Sequence, residues 1–275
     1  MGKLDGKVAF ITGAARGQGR SHALRLAAEG ADIIAIDVPS QVATVPYPTA
    51  SREDLEETAR QVKALDRQVL VFDADVRDSA ALQHAAEEGA RAFGRVDIVL
   101  ANAGIFSNGP ALEMDDDTWQ TMIDVNLTGV WKTIRAAVPH IINGKRGGSV
   151  VITSSMATFA PHENSAHYTA AKTGLIGLSR VLAKELAPHQ IRVNTVHPTT
   201  VSTDMILNDA TFRLFRPELD HPTRADFEEV ASKLNALDTP MIDAVDVSNA
   251  ILYLVSDDGR FVTGNTHSID AGGTL

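Results

Sequence analysis

The chain has 275 residues, of which 44% are hydrophobic and 22% charged, with a formal net charge of -10 and no cysteine. These figures fit an ordinary globular enzyme and exclude a disordered or fibrous chain, while the missing cysteines exclude disulfides, thiolate metal sites and thiol nucleophiles. The acidic balance argues against nucleic acid as a partner, because a phosphate-tracking surface needs clustered Lys and Arg.

The first apolar run, "KVAFIT" at 7–12, is too short for the apolar region of a signal peptide or for a spanning helix, so the expectation is a cytoplasmic protein with no membrane partner. Similar runs recur at 31–37, 68–75, 96–104, 148–155 and 191–198, with a weaker one at 265–270. Their near-continuous apolarity predicts strands buried on both faces. Helical patterns lie between them at 17–29, 52–65, 78–93, about 116–142, 165–187 and 245–256. Strand and helix alternating every ~30 residues is the βαβ signature. The expected fold is therefore α/β, one doubly wound Rossmann-type parallel sheet of about seven strands, with helices on both faces, in a single domain over 1–275. Two stretches break the rhythm, a proline-bearing insertion at 38–51 and a long segment at about 199–243. Loops of that length in a compact domain are functional or disordered.

After the first strand comes "TGAARGQGR", where Gly13, Gly17 and Gly19 let the backbone turn tightly and bring a pyrophosphate to a helix N-terminus. A glycine turn needed only for packing is the alternative, and its place between strand and helix speaks against that. Arg16 stands where a basic side chain grips an extra phosphate, yet Asp37 ends the next strand 18 residues beyond Gly19. A carboxylate there accepts the ribose hydroxyls and repels a 2′-phosphate, by about 4 kcal/mol at ~4 Å and an effective dielectric of ~20. With Val38 beside it, this predicts NAD rather than NADP and turns Arg16 toward the ribose edge or Asp37; the other reading of Asp37 is a strand-end cap. Tyr168 and Lys172 in "YTAAK" share one helix face, the spacing of a paired acid and base. Bringing a tyrosine from ~10 to ~7 takes about 4 kcal/mol, which one close ammonium supplies; an exposed Tyr and Lys is the other reading of the pair alone.

The glycine turn, "NAG" at 102–104, Ser155 and "YTAAK" together resemble the short-chain dehydrogenase/reductase family in order and spacing, across nearly the whole chain. The resemblance implies Tyr168 as general acid/base and Lys172 as its pKa depressor and ribose ligand. It implies Ser155 as the hydrogen-bond partner of the substrate oxygen, and Asn126 of "DVNLTG" as the holder of a proton-relay water, or else only a helix-kink residue. Around the cofactor it implies Gly13, Arg16, Gly17, Gln18, Gly19, Asp37, Val38, Asp75 and Val76 (adenine contacts), Asn102, Ala103 and Gly104, then Pro198, Val201 and Thr203 near the nicotinamide. The chain reads "HPTTVST" where the family commonly has Pro-Gly, so Thr199 replaces a glycine and that backbone departs from the pattern.

"RGQGRSHA" at 16–23, the insertion, and "HPTTVSTDM" with "LFRPEL" further resemble the mycofactocin-associated, carveol-dehydrogenase-like branch. That branch implies NAD held so firmly by the insertion that it does not exchange freely, an external redox carrier of mycofactocin type that recycles it, and an apolar, cyclic or terpenoid alcohol or ketone. The family implies a homotetramer. The segment 205–241 carries Met205, Ile206, Leu207, Phe212, Leu214, Phe215, Phe227 and Met241, either a substrate lid or a helix pair covering its own core. No metal site is expected, since the nine histidines show no H-E-x-x-H spacing and the acids at 115–117 suit a helix cap. The expected function is an NAD-dependent dehydrogenase acting on a secondary alcohol. A freely exchanging NAD carbonyl reductase is the rival within the class; a non-catalytic NAD-binding regulator is the rival outside it, disfavoured because Asn126, Ser155, Tyr168 and Lys172 are all present.

Overall fold

The computed structural model describes residues 2–275. Seven strands, β1 (Val8–Thr12), β2 (Asp32–Asp37), β3 (Val69–Asp73), β4 (Ile98–Ala101), β5 (Gly148–Thr153), β6 (Ile191–Pro198) and β7 (Thr266–Ile269), form one sheet in the order β3-β2-β1-β4-β5-β6-β7. Every neighbouring pair is parallel. Successive side chains of β1 leave opposite faces, so Phe10 joins one core and Ile11 the other. This is why its apolar run is continuous rather than alternating. The chain reverses direction across the sheet between β1 and β4, and ligands of doubly wound folds bind at that switch point, beyond the strand C-termini.

The helices are α1 (Gly17–Ala27), α2 (Arg52–Lys63), α3 (Ser79–Phe93), α4 (Asp116–Ile123), α5 (Gly129–Gly144), α6 (Ala166–Leu186), α7 (Asp209–Phe215), α8 (Arg224–Ala231) and α9 (Ala244–Val255). Most begin where a short polar side chain can cap them. Ser51 and Asp54 form a reciprocal box on α2, and Asp115, from the acidic run, accepts from Thr118 N at 2.8 Å on α4. The single helix expected over 116–142 is interrupted by a π-helical turn at Asp124–Thr128. The interruption holds Gly129 against Val76, where an added Cβ would lie 2.7 Å from the Val76 side chain.

The expected strand at 96–104 ends at Ala101, because the next side chain joins two strand ends instead of extending one. Asn102 Nδ2 donates to Thr12 O at 3.1 Å, and Thr153 Oγ1 donates to Asn102 Oδ1 at 3.2 Å. The insertion 38–51 carries no regular element, yet Val42, Val45 and Tyr47 are buried in the core. The Gln41 amide holds its turns by donating to the carbonyls of Val42, Val45 and Tyr47 at 3.1, 3.3 and 3.1 Å. Over 199–243 the helices α7 and α8 form a small satellite core, with the Phe227 ring tilted against Phe212 and edge-on to Phe215, at centroid distances of 5.5 and 4.9 Å. Among the described residues no helix is long and apolar enough to cross a membrane.

Candidate active site

The site grows from the turn that links β1 to α1. Gly13 has φ +70, and a Cβ there would meet Ala103 Cα at 2.8 Å; at Gly19 it would meet Gly13 O at 1.9 Å. Only glycine lets these backbones approach so closely. Arg16 caps α1 in an extended conformation without a side-chain cap hydrogen bond, so the first-turn N–H groups of α1 remain for an anionic ligand. A cleft opens above this turn, lined by Gly13, Arg16, Gly17, Gln18, Gly19, Asp37, Val38, Asp75, Val76, Asn102, Ala103, Gly104 and Thr203. The glycine cradle, the uncapped helix end and the carboxylate of Asp37 fit a dinucleotide.

Asp37 lines the cleft and caps the strand end. Its Oδ2 accepts from Ala15 N and its Oδ1 from Val38 N, both at 2.8 Å. Burial raises its pKa, while these two donors and the Arg16 charge pull the other way. Asp75 lies on the cleft wall with its carboxylate engaged by Arg77 at 2.6 Å. Arg16 lines the cleft near enough to Asp37 for its charge to act on that carboxylate, and it also makes two contacts that the sequence did not indicate. Its guanidinium spans the cleft mouth, pairing with Asp204 at 3.0 Å on one side and donating to the Pro48 carbonyl of the insertion on the other. Both partners come from the segments least regular in sequence, so no local pattern pointed to them.

A second cavity of about 740 Å³ adjoins the first, with Gln18, Thr203 and Met205 in the walls of both. Ser155, Tyr168, Pro198 and Val201 line this cavity, together with Met205, Ile206, Leu214 and Phe215. The two readings of the 205–241 segment are thus shared out by residue. Phe212, Phe227, Leu207 and Met241 belong to its own core, whereas Met205 and Leu214 face the cavity and Ile206 and Phe215 belong to both. The Thr199 that replaces glycine is not among the residues with positive φ, so it is accommodated without backbone strain. Its N–H donates to Ile269 O at 3.1 Å and its hydroxyl to Asn235 Oδ1 at 3.1 Å.

Ser155 leaves β5 in an extended conformation and its Oγ accepts from Ala157 N at 3.1 Å. Lys172 is 4% exposed, lies with Nζ 5.7 Å from the Tyr168 ring centroid, and donates to Thr153 O at 2.8 Å. Burial lowers its pKa to about 8. Burial also raises the Tyr168 phenol, against the opposing hydrogen bond of Ser155. The depression of Tyr168 expected from Lys172 therefore does not arise from the pair itself. Desolvation favours the neutral form of both groups, and the ammonium sits over the ring, turned toward a carbonyl. Asn126, fully buried in the π-helical turn, accepts from Ile105 N at 2.9 Å and donates to Ile105 O at 2.8 Å. Its side chain therefore clamps the 105 backbone beside Gly104, where an added Cβ would stand 3.2 Å from Asn126 Oδ1 and 3.4 Å from Lys172 Nζ.

Sequence reasoning missed Tyr47, Phe106 and Asn108. Tyr47 comes from the insertion, faces the cleft, and accepts from Phe106 N at 3.1 Å. Phe106 then packs edge-on against Tyr168, with ring centroids 5.1 Å apart. An aromatic residue between two prolines was the only local sign of Tyr47.

This arrangement, a dinucleotide cleft opening onto a cavity with Tyr168 in its wall, is that of an NAD-dependent oxidoreductase, and the family model for short chain dehydrogenases matches residues 7–212. The chain belongs to the short-chain dehydrogenase family. It is 53% identical over 277 residues to a (-)-trans-carveol dehydrogenase from Rhodococcus erythropolis, with all of both chains covered. A crystal structure of carveol dehydrogenase from Mycobacterium avium in complex with NAD superposes with a TM-score of 0.98 at 52% identity, covering 99% of each chain. A short-chain dehydrogenase from Mycobacterium paratuberculosis bound to NAD gives 0.91 at 40% identity, again over 99% of each chain.

Proposed function

We propose that this protein is an NAD-dependent dehydrogenase that interconverts a secondary alcohol and a ketone on an apolar substrate of the terpenoid class, and that it holds its NAD tightly. The observation that carries the reading is the position of Tyr168, in the wall of the apolar cavity with Ser155 beside it and Lys172 on the same helix face. When bound, the nicotinamide accepts or returns the hydride. Ser155 Oγ would donate to the substrate oxygen, and Tyr168, in its phenolate form, would take the alcohol proton during oxidation. Lys172, whose pKa burial lowers to about 8, would hold the ribose and pass that proton on toward solvent. Asn126, by clamping Ile105 and lying beside Lys172 at Gly104, fits a relay position. Asp37 at the cleft selects the unphosphorylated ribose. Orientation in a cavity lined by Met205, Ile206, Leu214 and Phe215 does much of the work.

Tight retention is supported by Arg16, which ties the insertion to Asp204 across the cleft mouth. An external redox carrier is the corollary, since NAD that does not leave must be reoxidised in place. Tyr168→Phe is the test, assayed with a panel of cyclic secondary alcohols that includes carveol. A loss of at least a hundredfold in turnover with NAD binding intact is expected; unchanged turnover would sink the mechanism.

A further inference from the structure

We propose that His197 is the positioning residue for Ser155, fixing its backbone so that the hydroxyl faces Tyr168; this rests on the roles of Ser155 and Tyr168 proposed above. His197 stands at the end of β6 with no exposed surface. Its Nδ1 lies 3.0 Å from the Ser155 carbonyl oxygen, and its Nε2 lies 2.7 Å from Thr195 Oγ1. Thr158 Oγ1 donates to the same carbonyl at 2.9 Å and lies 3.0 Å from Nδ1.

One arrangement of protons satisfies this cluster. A carbonyl oxygen only accepts, so Nδ1 carries the proton; a bare Nδ1 would set two lone pairs against each other. Nε2 then accepts from the Thr195 hydroxyl. The Ser155 carbonyl thus receives two donors, from His197 and Thr158, while Ser155 Oγ accepts from Ala157 N on its other side. The serine is held at its carbonyl and at its hydroxyl. The imidazole stays neutral, since burial lowers its pKa to about 4 and outweighs the opposing hydrogen bond to the Ser155 carbonyl, with the Lys172 charge acting in the same direction as burial. Phe159 packs on the ring at 4.9 Å and completes its enclosure.

The consequence lies in the transition state. A hydroxyl that must meet a developing charge gains from being fixed beforehand, and small misplacements cost rate rather than binding. Tyr168 is faced by Lys172 from α6 and by Tyr47 from the insertion. Ser155, which lines the same cavity wall, is the neighbour that favours the phenolate of Tyr168 against burial.

The experiment compares His197→Phe and His197→Asn in the full-chain protein, using the cyclic alcohol that the wild type oxidises fastest. His197→Phe is expected to lower kcat and kcat/KM together by about ten- to hundredfold and to leave NAD affinity unchanged. It should also move the acid limb of the oxidation profile to higher pH, because Tyr168 loses the bond that holds its phenol down. His197→Asn keeps an N–H where Nδ1 stands and should restore most of the rate. Wild-type kcat and pH profile in His197→Phe, or no rescue by His197→Asn, overturns the proposal. If His197→Phe does not fold, Thr158→Val and Thr195→Val decide: each should lower kcat about two- to tenfold with the same shift of the acid limb, and no change in both overturns the proposal. Ser155→Ala and Tyr168→Phe separate the two levels. Turnover that persists in them refutes the site reading, whereas its loss beside an unaffected His197→Phe refutes only the positioning.

Discussion

The glycine turn and the segment 199–243 face each other across one cleft but are held by different forces. The turn is fixed by backbone geometry, with Gly19 pressed against Gly13 and Asp37 accepting from Ala15 and Val38. The opposite wall is held by a satellite core of a few rings and by individual side chains that cross the gap, of which Arg16 to Asp204 is one. A backbone-built wall tolerates almost no substitution at its contact points, whereas a wall attached by side chains can separate at small cost. The rigid side therefore suits recognition of an invariant pyrophosphate, and the attached side suits a substrate region that differs among relatives of one fold.

The largest effect should come from the rigid side. Gly19→Ala drives a methyl group into the Gly13 carbonyl at 1.9 Å, so dinucleotide binding should be lost and unfolding free energy should fall by roughly 3 kcal/mol. Calorimetric titration with NAD and urea denaturation measure both; retained affinity would show that the turn yields more readily than its geometry says.

Lys172→Met sharpens the contrast between building a site and stabilising a fold. The wild-type ammonium is buried and titrates at about 8 rather than at 10.5, so the folded state opposes its charge below that range. Because the folded pKa is lowered, the unfolded chain binds more protons between about pH 8 and 10.5, and wild-type stability rises with pH through that window. Lys172→Met should abolish turnover while gaining up to about 3 kcal/mol at pH 7. The gain should shrink as pH approaches 10.5, as followed by denaturation at several pH values.

The smallest effect in stability belongs to the attached side. Asp204 is 68% exposed in its pair with Arg16, so Asp204→Asn should cost less than about 1 kcal/mol. It should nevertheless speed NAD release. Native mass spectrometry after dilution reads the fraction of chains still carrying NAD; equal retention in variant and wild type would break the link between the clamp and cofactor holding.

Much of this architecture was legible in the sequence. Strands β1, β2, β5 and β6 read as apolar runs because parallel strands are covered on both faces, and Tyr168 and Lys172 read as a pair because helix geometry puts positions four apart on one face. The break at Asp124–Thr128 was legible only as the alternative reading of Asn126 as a helix-kink residue, since apolar residues continue on both sides of it. The state of Tyr168 was not legible. Spacing showed a lysine near a tyrosine, but burial of both, and the carbonyl of Thr153 that engages Lys172, reversed the expected shift.

By itself the sequence determined a parallel α/β sheet, a glycine turn for a dinucleotide, a carboxylate at the end of the second strand and a tyrosine and lysine on one face of one helix, all features set by neighbours within a few residues or by a repeating period. Only the tertiary structure decided that Arg16 clamps Pro48 and Asp204, that Tyr47 reaches the Phe106 backbone, and that His197 grips the Ser155 carbonyl. These contacts join residues 32 to 188 positions apart. Their partners lie too far apart in the chain for any local periodicity to encode them, so these contacts exist only once the sheet has brought its strand ends together.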